Sequence, residues 1–279
     1  MIVDFHTHIF SSEVIENRTR FIDDRNFSIL YSDEKAKLID HRLLLQAMES
    51  SHIDCAVALG YPWEKEEYYE LQNQYFKRVI DLSQGRIYPF ATIPMNNEHD
   101  IDNYVKGIKD LGLSGIGEIG FYSGGFSRRE EKILARVFES ALKYSLPVCL
   151  HVNESVGHEY VGKYETDFKS LYSILHEFRE LTVILAHWGG GILFYELMPE
   201  VKESLENVYY DTAASPYLYR DEIYDIATRI VGSEKILFGT DYPLINFSRY
   251  IQSIESVIAD ENDRRNILGN NALRILKGK

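Results

Sequence analysis

A single-domain (β/α)8 barrel with an insertion after its first strand is the fold class the sequence predicts, on three observations. The chain has 279 residues, and about 250 is typical of such a barrel. Eight short apolar runs rich in Val, Ile and aromatics alternate with helical patterns along its whole length. Most of these runs are apolar throughout rather than alternating, as strands covered on both faces should be. A doubly wound open sheet is the competing class. It usually follows its first strand with a glycine-rich phosphate turn, and here that place holds His6-Thr7-His8. No interior linker divides residues 1–279, so one domain is expected.

The strand candidates cover residues 2–8, 53–60, 87–93, 113–119, 148–152, 182–187, 208–212 and 235–239. Between them, Ile39, Leu43, Leu44, Ala47 and Met48 share one helical face. Ile101, Tyr104, Val105, Ile108 and Leu111 form another, ended by Gly112. Ile133, Leu134, Val137, Phe138, Ala141 and Leu142 recur at helical spacing and stop before Pro147. Phe168, Leu171, Leu175 and Phe178 repeat the pattern, as do Phe247, Tyr250, Ile251, Ile254 and Ile258. Weaker patterns fill 68–82, 194–205 and 221–231. Residues 10–40 form the longest connection and mix Arg18, Arg20 and Arg25 with Phe21, Phe27 and Tyr31. Such a stretch is either a lid or pocket wall, or a disordered surface loop. Residues 260–277 read as a terminal helical segment packed across the barrel.

Composition narrows the function classes. Acidic residues outnumber basic ones 43 to 30, for a formal net charge of -13. This argues against nucleic-acid or anionic-membrane binding through a broad basic surface. Cys55 and Cys149 lie in apolar runs and read as free thiols rather than a disulfide framework. No basic-then-apolar leader opens the chain, and no apolar run approaches the ~20 residues of a membrane span. A cytoplasmic protein acting on a small-molecule substrate is the default expectation, with association into a homo-oligomer left open.

Barrel enzymes carry their reactive groups at the C-terminal ends of the strands. Strand one supplies His6 and His8, two residues apart and so on one face of a strand. Strand four supplies Glu118, strand five His151, strand six His187 and strand eight Asp241. Each alone has an ordinary explanation: a solvated loop carboxylate, a hydrogen-bonded structural histidine, a turn-setting aspartate. Four histidines and two carboxylates at one end of one barrel point instead to a divalent metal, with Zn2+ favoured. A metal-bound water is deprotonated near neutral pH, and Asp241 beside it can carry the proton. Asp4 is either an acceptor that fixes the tautomer of the ligand histidines or an ordinary hydrogen-bonding residue. His41, His52, His99, His158 and His176 fall in helices or loops and read as surface or capping residues.

Asp-Phe-His-Thr-His, Gly-Glu-Ile-Gly, Val-Cys-Leu-His, Leu-Ala-His-Trp-Gly-Gly and Gly-Thr-Asp-Tyr-Pro follow one another in this order. Together they resemble the amidohydrolase superfamily, most closely its "amidohydrolase 2" branch of metal-dependent TIM-barrel hydrolases. The ending Ile-Leu-Gly-Asn-Asn-Ala-Leu-Arg-Ile-Leu is similar too, so the resemblance covers nearly the whole chain. It implies that His6, His8 and Asp241 bind the more buried metal, with Asp241 also the general base or acid. It implies His151 as a ligand, Glu118 as a bridge between two metals in some relatives, and His187 as a second-metal ligand or a catalytic side chain. The strand-four lysine that other members carboxylate is absent, and Glu118 stands there. One or two ions are therefore both compatible with the pattern.

The leading expectation is a metal-dependent hydrolase that activates water to cleave a small amide, cyclic amide, lactone or ester. The alternative is a mononuclear metal-dependent decarboxylase of an aromatic or unsaturated carboxylic acid, with Arg18, Arg25 or Arg220 available to hold the acid. A TatD-like nuclease fits Glu118 but not the negative charge, and a purely structural metal site is usually closed and thiolate-rich. Tyr61, Trp63, Phe121, Asn153, Trp188 and Tyr217 are the candidates to line a pocket.

Overall fold

In the computed structural model, residues 1–95, 100–122, 124–126 and 128–278 are described. Eight parallel strands run in sequence order: β1 (Val3–Thr7), β2 (Cys55–Leu59), β3 (Ile87–Ala91), β4 (Gly115–Ile119), β5 (Val148–Leu150), β6 (Val183–Leu185), β7 (Val208–Asp211) and β8 (Ile236–Leu237). The (β/α)8 barrel expected from the apolar runs is therefore present. Its seam is closed by main-chain bonds from Phe5 N–H to Phe238 O (2.7 Å), Asp241 N–H to His6 O (2.9 Å) and His8 N–H to Tyr242 O (2.8 Å).

The strands' two faces serve two cores. Val3, Phe5, Val57, Leu59, Phe90, Cys149 and Ile184 fill the inside, where Phe5 meets Phe90 edge to face at 5.6 Å. Ala56, Ile116, Val148, Leu185 and Ile236 face outward onto the helices. Both-sided burial explains why the strands lack alternation. The terminal helix Asn271–Lys277 packs Ala272, Leu273, Ile275 and Leu276 against the inner core. Asn271 holds it there by donating to Ser233 O and Ile236 O, each at 2.8 Å. The helix thus plugs the end where the strands begin and leaves the other end to the site. Both cysteines are free thiols.

The insertion is built, not disordered. It holds three short helices, Ser12–Glu16, Arg18–Phe21 and Arg25–Tyr31. Asp24 caps the third through Phe27 N–H and also accepts Glu64 N–H and Lys65 N–H, which pins the insertion to the loop after β2. Phe10, Phe21 and Phe27 interleave with Tyr61, Trp63 and Tyr68 in a separate apolar cluster. Phe27 stacks on Trp63 (4.8 Å between ring centres) and on Tyr31 (4.9 Å).

The sixth unit departs from the expected pattern. β6 ends at Leu185, two residues short of His187, and the helix expected over 194–205 is confined to Pro199–Ser204. His187, Trp188, Gly189, Gly190 and Gly191 all have positive φ, a run no right-handed helix accommodates. Gly190 must be glycine, since a Cβ there would lie 2.3 Å from Asn153 O.

Candidate active site

All six strand-end residues meet at the C-terminal mouth of the barrel. His6 and His8 turn their Nε2 atoms toward each other at 3.1 Å. Asp241 Oδ1 lies 3.3 Å from His8 Nε2 and 3.8 Å from His6 Nε2. Glu118 Oε2 stands 3.7 Å from both of those nitrogens. Its other oxygen takes a bond from His151 Nδ1 (2.9 Å) and faces His187 Nε2 at 3.5 Å. Gly117 lets the strand deliver Glu118 here: its φ is +135°, and a Cβ would sit 2.5 Å from Cys149 O. Asp241 is placed by the seam bond from its own N–H to His6 O.

Among the described residues, two sets bring three donor atoms within 4.8 Å of one another: His6, His8 and Asp241, and His6, Glu118 and His187. Either set is compact enough for a divalent ion. His151 belongs to neither. Asn153 Nδ2 donates to its Nε2 (3.0 Å), so its proton sits on Nδ1 and points at Glu118.

The residue that orients the first histidine was not among those expected. Asp211, at the end of β7 and fully buried, accepts from His6 Nδ1 at 2.8 Å through Oδ2. Its Oδ1 accepts the N–H groups of His187 and Ala213, each at 3.0 Å. Asp4, one of the two readings for this orienting role, instead accepts His6 N–H, Thr240 N–H and the Thr240 hydroxyl. It holds β1 to the turn after β8 and touches no ring. His187 is fixed by Nδ1 donating to Ala213 O (3.2 Å), which leaves Nε2 facing the site.

Burial and charge act in opposite senses here. Burial disfavours a charge on His6, but Asp211 and Glu118 outweigh it and raise its pKa to about 10. The same contest, with Glu118 as the main opponent of burial, raises His187 to about 9. His151 goes the other way because burial dominates. Burial would raise Glu118 and Asp241, yet the surrounding imidazoles hold both below the ordinary carboxylate range.

Above this floor opens a cavity of about 640 Å³. Tyr61 and Tyr217 line it as expected, joined by Tyr31, Tyr122 and Tyr160. Trp63, Phe121 and Trp188 do not: Trp63 is buried in the insertion cluster, Phe121 packs on Phe126, and Trp188 donates to Ser215 Oγ. Asn153 lies beneath the wall, where it positions His151. None of Arg18, Arg25 or Arg220 reaches the cavity. Arg18 is spent on the carbonyls of Asp33 and Ala36, and Arg220 is exposed. The lysines at the mouth are Lys35 and Lys37 of the insertion, and His158, which had read as an ordinary surface residue, also lines the cavity. His41 bonds Tyr75 and His176 bonds Ser204, away from the site; His99 lies outside the described residues. No described helix is long and apolar enough to cross a membrane.

Residues 3–278 match the Amidohydrolase family. The chain belongs to this family. The 2-amino-3-carboxymuconate-6-semialdehyde decarboxylase of Dictyostelium discoideum is similar to it, at 24% identity over 240 residues, 73% of this chain. The match spans 65% of that relative's length, just under two thirds. The fold is also that of 5-carboxyvanillate decarboxylase from Novosphingobium aromaticivorans, solved with manganese and 4-hydroxy-3-methoxy-5-nitrobenzoic acid (TM-score 0.80, 13% identity, covering 100% of this chain and 96% of that one). A 2,6-dihydroxybenzoate decarboxylase from Rhizobium is similar as well (TM-score 0.71, 17% identity, 99% and 98% covered).

These comparisons overturn the expectation of hydrolysis, since the named relatives of this amidohydrolase-family enzyme are decarboxylases. The physical reason is that strand-end imidazoles and carboxylates report a metal framework, not the bond that it cleaves. Nor do the relatives single out zinc, because manganese is the ion in the carboxyvanillate enzyme.

Proposed function

We propose that the chain is a metal-dependent, non-oxidative decarboxylase of an aromatic or unsaturated carboxylic acid. The observation that carries this reading is that the relatives named above are decarboxylases. The floor of imidazole and carboxylate donors beneath a tyrosine-walled cavity suits it.

The floor suits a divalent ion on its own chemistry. Two imidazole Nε2 atoms 3.1 Å apart need a proton or a cation between them, and the Asp241 and Glu118 carboxylates stand beside that point. His6, His8 and Asp241 would hold the ion. Because His6 Nδ1 is committed to Asp211, only Nε2 is free, so the set with Glu118 and His187 competes for the same atom. We therefore assign one ion, of manganese or zinc character. Bound there, it would supply Lewis acidity toward an acid substrate.

Decarboxylation breaks the bond between the carboxyl carbon and the ring or alkenyl carbon. The bonding pair stays on the latter, CO2 leaves, and a proton must reach the carbon left behind. His187 is the group to hold that proton, on Nε2: Ala213 orients its ring and Glu118 sustains its charge. The surrounding imidazoles hold Asp241 ionised, which leaves it without this proton to give. Tyr61 and Tyr122, nearly parallel with centres 6.3 Å apart, give flat walls for the ring and keep water from the developing carbanion.

The test is CO2 release from 5-carboxyvanillate, 2,6-dihydroxybenzoate and related acids by manganese-loaded protein. Release that stops on chelation and falls at least 100-fold in His187→Ala is expected, taking general-acid catalysis as roughly 10²–10⁴-fold. A metal-loaded protein that releases CO2 from none of these acids, or one that works equally well as His187→Ala, would overturn the reading.

A further inference from the structure

The cavity is larger than a single-ring acid requires. Its volume of about 640 Å³ sits mid-range for pockets that enclose drug-sized ligands, roughly 300–1,000 Å³. Its lining is layered. The polar donors and the buried Tyr61 lie at its inner end, and Tyr217 stands at the outer one. Leu30, Val161, Leu218 and Leu244 form an apolar belt in its lining. Val161 and Leu244 are 72% and 56% exposed, although both border the cavity. One exposed apolar side chain needs no explanation. Two exposed and two half-buried ones that line one cavity from four connections, after β1, β5, β7 and β8, form a patch continuous with the site.

We propose that this belt is a subsite for an apolar substituent, an alkyl or alkoxy chain, carried by the acid on the side away from its scissile carboxylate. The inference rests on the decarboxylase reading for the head group and adds the class of substrate that fits the rest of the cavity. With the carboxylate at the floor and the ring against the Tyr61 and Tyr122 wall, the substituent runs outward along the belt. Lys35 and Lys37 at the mouth draw the anionic acid in from solvent.

Binding of 4-n-alkylbenzoates, methyl through hexyl, to the manganese-loaded full chain tests this by calorimetry. These probes lack the ring hydroxyl of the relatives' substrates, so binding is read apart from turnover. Affinity should rise about threefold per methylene, the value for burying most of each CH2. Leu244→Asp and Val161→Asp, exposed and on separate loops, should each flatten that rise. Equal affinities along the series, no binding by any member, or an undiminished rise in both variants would each overturn the subsite. So would variants that change only the mass of the particle in light scattering, which would give the belt to a second copy of the chain. A clear chain-length gain without CO2 from any hydroxylated acid would leave the subsite standing and remove the decarboxylase reading.

Discussion

Replacing Asp211 separates holding the barrel together from preparing the site. Asp211→Ala leaves three buried donors without a partner: His6 Nδ1–H, His187 N–H and Ala213 N–H. Each costs about 1–3 kcal/mol, so a loss of roughly 4 kcal/mol in urea unfolding is expected for the ion-free protein. Asp211→Asn keeps the acceptor at Oδ1 for both main-chain N–H groups. In place of Oδ2 it sets an NH2, a second donor, against His6 Nδ1–H. The ring must then move its proton to Nε2, the atom the ion needs. The stability loss should shrink to about one donor's share, ~1–2 kcal/mol, while metal affinity falls about 10–100-fold, the usual effect of removing a partner behind a ligand histidine. Chelator competition at pH 8 gives the affinity, and imidazole nitrogen shifts in NMR give the tautomer. Asp211→Asn protein that binds manganese within twofold of wild type would refute the reasoning, as would Asp211→Ala protein that unfolds like wild type.

Three further outcomes follow from the geometry. An ion must displace the proton that His6 holds up to a pKa of about 10. Metal binding should therefore release about one proton and tighten roughly tenfold per pH unit below that value; calorimetry in buffers of different ionisation enthalpy measures this, and zero release contradicts it. Phe27→Ala removes a fully buried ring stacked between Trp63 and Tyr31. It should cost about 3–5 kcal/mol and raise KM more than it lowers kcat, because Tyr31 forms the cavity wall while the floor stays in place. Lys235→Ala strands the buried Glu196 carboxylate, which Lys235 Nζ meets at 2.7 and 2.8 Å. A loss of about 3–5 kcal/mol in denaturant unfolding is expected, with metal affinity unchanged.

The barrel was legible because burial on both faces leaves a plain trace, an unbroken apolar run with a polar residue at its end. His6, His8, Glu118, His151, His187 and Asp241 all stand where such runs stop. Asp211 stands there too, in Val-Tyr-Tyr-Asp-Thr, but it reads as the polar tail of a strand until the Nδ1 of His6 is placed beside it. His151 was legible as a site residue but not as one whose Nε2 is taken by Asn153; a tautomer is a property of neighbours, not of spacing. The insertion's helices run four to seven residues, too short to show a period, and their order comes from aromatic packing with residues 61–69. Arg18, Arg25 and Arg220 misled because charge says nothing about direction: the cations that reach the mouth are lysines on a loop that Arg18 itself braces. The bond to be cleaved left no trace, since the same donors serve hydrolysis and carbon–carbon scission.

The seam between β8 and β1 has a temporal consequence. The bond that ties Asp4 to Thr240 spans 236 residues of chain, and the donors on either side of it, His6 with His8 and Asp241, meet only when that bond forms. A nascent or truncated chain without its eighth strand has half a coordination sphere and nothing to complete it. Joining elements so distant is the slowest and entropically dearest contact in the barrel, and an ion at the seam binds the joined state alone. It therefore acts as a clasp, shifting the equilibrium toward closure by its own binding free energy. Without the ion that contribution is lost, and the main-chain bonds and the Asp4–Thr240 contacts hold the seam alone.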